Sequence, residues 1–253
     1  MRTLVVIPAR LEAVRLPRKP LRLLGGSPLI VRVWQRVAAM NLTETVIVVA
    51  TDDESIAETV RAEGAECVIT SNLHNSGTER VAEVAGMPQY ADFDTIVNVQ
   101  GDEPFIGRAA IHGAAEVVAS GRFPLGTAAS PASFDIGDNP DVVKVVTADD
   151  GRALYFSRAH IPFIRDRNGQ PAIGTLLQHI GVYAYSRDAL SQWAALPPHP
   201  LERAEKLEQL RPLAAGIPIG VAIADEKPES GIDTEDDLAR ANARWHEFLG
   251  GNS

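Results

Sequence analysis

A chain of 253 residues can bury one large core or a core with an added lobe, and 45% hydrophobic against 23% charged residues is the balance of a globular protein. A formal net charge of −9 excludes nucleic acid as a bulk partner, because no long basic surface exists outside one loop. The single cysteine, Cys67, excludes an internal disulfide and reads as an inert core thiol. The apolar runs near the start are too short for a signal-peptide core or a membrane span, so a cytoplasmic location without membrane insertion is expected.

Residues 4–7 (LVVI) read as a strand buried on both faces, and Pro8 marks where it stops pairing. The chain then becomes basic: Arg10, Arg15, Arg18 and Lys19 are opposed only by Glu12. Four cations on one loop repel each other unless an anion sits among them. A loop after a buried strand, stiffened here by Pro17 and Pro20, is where α/β sheets place ligands, so the segment points to a polyphosphate site. Gly25, Gly26, Ser27 and Pro28 predict a turn and a helix start with Pro28 at the first helical position. Ile30, Val33, Trp34 and Val37 follow at helical spacing.

Residues 45–51 (TVIVVAT) predict a second buried strand, Asp52 or Asp53 the cap of a helix ending at Gly64, and 66–70 a third strand. This alternation implies right-handed crossovers and a mostly parallel sheet. Neither GxxxxGK[ST] nor GxGxxG occurs after the first strand, so side-chain cations and amides of the 9–19 loop must hold the phosphates. In HNSGTER at 74–80, Ser76 or Thr78 can cap a helix carrying Val81, Val84 and Ala85. Residues 95–100 (TIVNVQ) predict a fourth strand, on which Asn98 and Gln100 are unusual because a buried amide needs a partner. Asp102 follows at the carboxyl end, where beside a polyphosphate it would be a magnesium ligand.

From about Pro124 the rhythm changes to short strands, 125–129, 142–147, 153–157 and 176–185, with a hairpin turn expected at 149–151 and a polar, mobile loop over 160–175. Residues 130–225 read as a lobe added to the nucleotide half. On the strand HIGVY, His179, Gly181 and Tyr183 share a face, and Gly181 leaves a gap between imidazole and phenol suited to a small polar pocket. Leu207, Leu210 and Leu213 predict the buried side of a helix, with Glu208 and Gln209 off that stripe. After a strand at 217–224, Thr234–Asp237 form a capping-box pattern before one amphipathic helix carrying Leu238, Ala241, Trp245 and Leu249. The caps do not require Asp233.

The segment RLPRKPL at 15–21 resembles the signature of the CMP-Kdo synthetases (3-deoxy-manno-octulosonate cytidylyltransferases), within the sugar-activating nucleotidyltransferases. SGTER at 76–80, VNVQGDEP at 97–104, ALYFSRA at 153–159, HIGVY at 179–183, LEQLR at 207–211 and GIDTEDDL at 231–238 repeat the resemblance in the family's order. It implies an α/β fold: a mostly parallel, Rossmann-like nucleotidyltransferase sheet flanked by helices, with a smaller mixed second lobe. Residues 1–129 and 226–253 would bind CTP, and 130–225 would bind the sugar and form a homodimer. By resemblance, Pro8, Ala9, Arg10, Ser76, Gly77 and Gln100 meet the nucleotide and Arg80 steadies the region. Arg10, Arg15 and Lys19 meet the triphosphate, and Asp233 joins Asp102 as a Mg²⁺ ligand. Gln100, Arg158, His179, Tyr183, Glu208 and Gln209 are implied to meet the sugar acid. The chain departs from the pattern at Ala13 and Val14, which lack the family's hydroxyls, at Arg18, which is expected to stand in for part of that lost contact, and at Ser27. The same chemistry on a sialic acid or an amino-substituted Kdo, and a catalytically silent nucleotide binder, are the alternatives.

Overall fold

The computed structural model describes residues 2–12, 15–165, 176–225 and 228–249. The departures at Ala13 and Val14, and residues 166–175 of the polar loop, lie outside them. In chain order the structure begins with β1 (Thr3–Ala9), β2 (Leu23–Leu24), β3 (Ser27–Pro28), α1 (Leu29–Ala39), β4 (Thr45–Thr51) and α2 (Glu54–Ala62). Next come β5 (Glu66–Ile69), α3 (Gly77–Ala85), β6 (Thr95–Val99), α4 (Arg108–Ala119), β7 (Leu125–Pro131), β8 (Lys144–Thr147) and β9 (Ala153–Ser157). The chain continues with β10 (Leu177–Ser186), α5 (Arg187–Ala195), α6 (Pro200–Glu205) and α7 (Leu210–Ala214), and closes with β11 (Ile219–Ile223), α8 (Glu235–Ala243) and α9 (Trp245–Leu249). The fold is α/β, and its elements group into two compact units.

One unit comprises Arg2–Phe93, Asn98–Ile106 and Glu229–Ser253. Here β1 pairs in parallel with β4, from Thr3 opposite Thr45 to Ala9 opposite Thr51, and β4 pairs in parallel with β5. Every residue of β1 from Leu4 to Ala9 is buried, as a strand covered on both faces requires. Helix α1 turns Ile30, Val33 and Val37 inward, and α2 turns Ile56, Ala57 and Val60 inward. Asp53 caps α2, its Oδ1 accepting from the backbone N–H of Ser55 at 2.9 Å and Ile56 at 3.2 Å, and Gly64 follows with a φ of +88°. Pro28 sits one position earlier than expected: it pairs with Leu23 in the β2–β3 ribbon and the helix starts at Leu29.

The last helical segment is two helices, not one. Thr234 and Asp237 cap α8 reciprocally, but the chain turns at Arg244 before α9. The turn lays Trp245 against Gly25, where an added Cβ would fall 2.0 Å from the indole nitrogen. It also lets Phe248 stack on Phe105 at 4.1 Å. A continuous helix would swing those rings away from their partners.

The other unit comprises Asp94–Val97 and Gly107–Pro228, with Met1. Strand β7 pairs in parallel with β11 and antiparallel with β10, while β8 pairs antiparallel with β10 and β9. Because β7 is bonded along both edges to later strands, it and α4 group with 107–228. Helix α4 approaches closely at Gly126, where a Cβ would lie 2.3 Å from the Ala114 carbonyl oxygen. The expected β8–β9 hairpin is present, with Gly151 at a φ of +83°. No described helix is long and apolar enough to cross a membrane.

Candidate active site

The first unit contains a cleft of about 350 Å³ lined by the end of β1 (Pro8, Ala9, Arg10), the basic loop, the start of α3, the turn after β6, and Asp233. Its floor depends on two close approaches. A Cβ on Gly101 would lie 2.7 Å from the Pro8 carbonyl oxygen, and one on Gly77 would lie 3.3 Å from Pro8 Cγ. Glycine at these positions lets the α3 N-terminus and the turn after β6 close on the end of β1. Ser76 caps α3, its Oγ accepting from the Glu79 N–H at 3.3 Å. The loop before it is anchored by Arg80, buried and paired with Asp52 at 3.2 Å as well as bonded to Thr70, and by Glu83. Glu83 accepts from the Ser71 N–H at 2.9 Å and holds the ring of His74. Burial pushes the Glu83 carboxyl up, but these two bonds outweigh it and hold it below the usual carboxylate range.

Lys19 lies at the centre of the charged half of the cleft. Its Nζ donates to Asp102 Oδ2 at 2.5 Å and to Asp233 Oδ1 at 2.8 Å, and Arg15 meets Asp233 Oδ2 at 2.9 Å. Burial pulls the Lys19 ammonium down, yet the two carboxylates together leave its pKa raised. The segments are held in register by the Ile232 N–H donating to the Asp102 carbonyl at 2.9 Å, with Asp233 and Thr234 N–H donating to Asp237 at 3.1 and 2.8 Å. Burial, then the charges of Asp102 and Asp233, push the neighbouring Glu103 carboxyl up to about 8. The spot favours positive charge.

The expectation that the loop cations repel until an external anion arrives therefore needs correction for Lys19 and Arg15, whose counter-ions belong to the chain. Arg18, the expected stand-in for lost triphosphate contacts, has a φ of +55° and is exposed. It is not among the residues lining the cleft, and it acts through space on Asp53. The residues do fit a divalent cation: one Asp102 oxygen and one Asp233 oxygen reach the same point, and both are the hard carboxylate donors that Mg²⁺ takes. Among the described residues no group of three or more His, Cys, Asp or Glu could hold a metal, so phosphate oxygens and water would complete the shell.

The second unit carries Arg158, His179, Tyr183, Glu208 and Gln209, of which His179 meets Tyr183 and Glu208 acts on Tyr183, whereas Gln100 belongs to the first unit. The ring of His179 on β10 lies edge-on to Phe156 at 5.1 Å and tilted against Tyr183 at 5.5 Å, with Nε2 2.9 Å from Thr127 Oγ1. The β10–β7 register breaks between Ile180 and Tyr183, so this face is set by a bulge rather than by regular alternation, and the two rings expected to flank a gap at Gly181 pack against each other. Burial drives the His179 pKa down to about 3 and, with Tyr185 and Glu208, drives Tyr183 well above its ordinary value; both rings are neutral at pH 7. Trp193 stands edge-on to Tyr183 and Tyr185. Arg158 donates from Nε to the Glu205 carbonyl at 2.7 Å and from Nη1 to the Pro140 carbonyl at 2.9 Å. Gln209 is buried as the residue before α7, and Glu208 is half-buried, so the expected exposed side of a longer helix is not what presents them.

His74 and the Lys19 bridge were not read from the sequence. The spacing of Glu79 and Glu83 on one face of α3, just after a histidine, was the available signal for the first. Nothing local signals the second, whose partners stand 83 and 214 positions away.

A parallel sheet whose first strand ends in a cationic loop facing paired carboxylates defines a phosphate-handling α/β protein. The chain belongs to the cytidylyltransferase family, whose profile matches residues 4–221. It is similar to the 3-deoxy-manno-octulosonate cytidylyltransferase of Gemmatimonas aurantiaca, 57% identical over 254 residues, covering 100% of this chain and 98% of the relative. It is also similar to that of Xanthomonas campestris pv. campestris (strain 8004), 45% identical over 249 residues, covering 95% and 98%. Among solved structures, CMP:2-keto-3-deoxy-manno-octonic acid synthetase complexed with CTP matches with a TM-score of 0.88 at 35% identity, covering 98% of this chain and 100% of that one. A cytidylyltransferase from Leptospira borgpetersenii serovar Hardjo-bovis shares the fold, with a TM-score of 0.61 at 15% identity, covering 100% and 90%.

Proposed function

We propose that this chain transfers CMP from CTP to 3-deoxy-D-manno-octulosonate (Kdo), releasing pyrophosphate and giving CMP-Kdo for lipopolysaccharide synthesis. The observation that carries the reading is the Asp102–Lys19–Asp233 bridge at the end of β1, in a chain 57% identical along its length to a 3-deoxy-manno-octulosonate cytidylyltransferase. Pro8, Ala9, Ser76 and Gly77 line the cleft with small side chains suited to one pyrimidine ring, and Gln100 lies beside them. Arg10, Arg15 and Lys19 neutralise the triphosphate and the departing pyrophosphate. With Lys19 turned to the phosphates, Asp102 and Asp233 would be the residues to hold Mg²⁺. When bound, Mg²⁺ supplies charge neutralisation at the α-phosphate and favours ionisation of the attacking hydroxyl.

Arg158, His179, Tyr183, Glu208 and Gln209 orient the sugar acid, with Arg158 suited to its carboxylate and neutral His179 and Tyr183 to its hydroxyls. The anomeric hydroxyl of the sugar acid attacks the α-phosphorus in line, so the chain acts by positioning and by stabilising charge. The active form is a homodimer. Pyrophosphate release with CTP against a panel of sugar acids, Kdo, a sialic acid and amino-Kdo among them, tests the reading. Release with CTP and Kdo is expected, and no release above background with Kdo would overturn it.

A further inference from the structure

Among the described residues Lys144, on β8 of the second unit, is the one fully buried lysine, with no surface exposed. Burying an ammonium costs several kcal/mol unless its protons are all taken. They are taken by three main-chain carbonyls: Asn139 at 2.9 Å, Val142 at 2.7 Å and Arg158 at 2.5 Å. Three donors meeting three converging carbonyls use the whole capacity of the group. No carboxylate bonds to it; Asp138 and Glu205 act on it only through space, while burial and the Arg158 charge oppose its ionisation.

The pattern of partners is what gives this cation a role. Arg158 is gripped from several sides: its N–H by Glu205 Oε2 at 2.9 Å, its Nε by the Glu205 carbonyl, its Nη1 by the Pro140 carbonyl, and its own carbonyl by Lys144. The turn at 139–142 that receives Nη1 is the same turn Lys144 holds through Asn139 and Val142. Among the described residues Nη2 alone of the three Arg158 guanidinium nitrogens donates no hydrogen bond. Two like charges kept together this way would separate if either grip failed, and they leave one guanidinium edge for an anion. A neutral side chain at 144 would leave three carbonyls without their donor, and the turn would move to solvate them.

We propose that Lys144 is the positioning residue of the sugar-acid site: it fixes both the main chain of Arg158 and the turn that orients its guanidinium towards the substrate carboxylate. This rests on the reading that Arg158 meets the sugar acid.

The test uses full-length protein with Lys144→Met, Lys144→Arg and Arg158→Lys, with KM for CTP and for the accepted sugar acid measured separately. The Lys144→Met change should raise KM for the sugar acid by about tenfold or more and leave that for CTP within about twofold. Adding Arg158→Lys to it should cost little further, because both changes act on one contact. Equal changes in both KM values, or a lower melting temperature with both unchanged, would overturn the proposal. If Lys144→Met does not fold, Lys144→Arg serves, since a planar guanidinium cannot aim three N–H groups at converging carbonyls; a wild-type KM for the sugar acid there would also overturn it. Solvent exchange of the Arg158 Nε–H, followed by NMR without substrate, should quicken in either variant. Unchanged exchange overturns the positioning role even if the wild type turns over no sugar acid, an outcome that would separately overturn the proposed function.

Discussion

At the scale of single residues the cleft is a charge balance waiting to be re-partitioned. Lys19 neutralises Asp102 and Asp233 in this structure, and a triphosphate with a divalent cation would take the ammonium and supply the carboxylates with a new counter-ion. Asp102→Asn and Asp233→Asn should each lower turnover about 10²-fold or more, and the double variant should be little worse, since groups acting as a unit are not additive. Steady-state rates across a magnesium titration check this, and near-normal turnover of Asp233→Asn would remove it from the site. An unpartnered carboxylate pair would have gained stability from such changes, but Lys19 stands between them. Each variant should therefore lose about 1 kcal/mol, read by urea unfolding without nucleotide.

His179 gives a second residue-scale outcome. Its pKa falls from an ordinary 6.5 to about 3 because burial disfavours the imidazolium. The unfolded chain thus binds a proton more readily, so this contribution to stability is present above pH 6.5 and is lost as pH falls towards 3. The stability difference between wild type and His179→Gln should shrink by up to about 1.4 kcal/mol per pH unit below pH 6. Denaturant unfolding at pH 7, 5.5 and 4.5 measures it, and parallel curves would mean that the ring is solvated.

At the scale of elements, the cleft depends on how closely the turn after β6 approaches the end of β1. The Cβ introduced by Gly101→Ala would meet the Pro8 carbonyl at 2.7 Å, and backbone cannot yield as a flexible side chain can. We expect a cost of about 1–3 kcal/mol and a weakened CTP affinity, because the displaced strand end carries Ala9 and Arg10. Calorimetry with CTP reads the second effect; unchanged affinity would show the approach to be incidental. Much at this scale was legible in the sequence. The strands at 4–7, 45–51 and 95–100 are apolar and β-branched, and Asp53, Ser76 and Thr234 announce their helices by local chemistry alone. What escaped was set by contacts distant in sequence. The break at Arg244 answers to Gly25 and Phe105, the bulge beside Gly181 to β7, and the bonds of Lys144 to Arg158. A hydrophobic period carries no record of such partners.

At the scale of the whole molecule, the open question is what covers the apolar side chains that the second unit leaves outside. Leu154 on β9 is 51% exposed, Ile223 on β11 is 53% exposed, and Phe163 is 78% exposed. Single exposed hydrophobes are ordinary, and the antiparallel bridge between Arg152 and Gly220 sets Leu154 opposite position 218, so Leu154 and Ile223 are two separate apolar positions of this unit. The proposed homodimer supplies an occupant of suitable chemistry, a second copy of the same surface. Sedimentation at micromolar concentration should therefore give about twice the 27.2 kDa chain mass. A stable isologous contact buries roughly 1,200–2,000 Å², so two buried aspartates facing their symmetry mates should dissociate it. Leu154→Asp with Ile223→Asp should run as a monomer, whereas Leu73→Asp, at an 82% exposed position in the other unit, should leave the dimer intact. A wild-type protein that sediments as a monomer would reject the homodimer. A dimer that survives the double substitution would keep it but place its interface elsewhere.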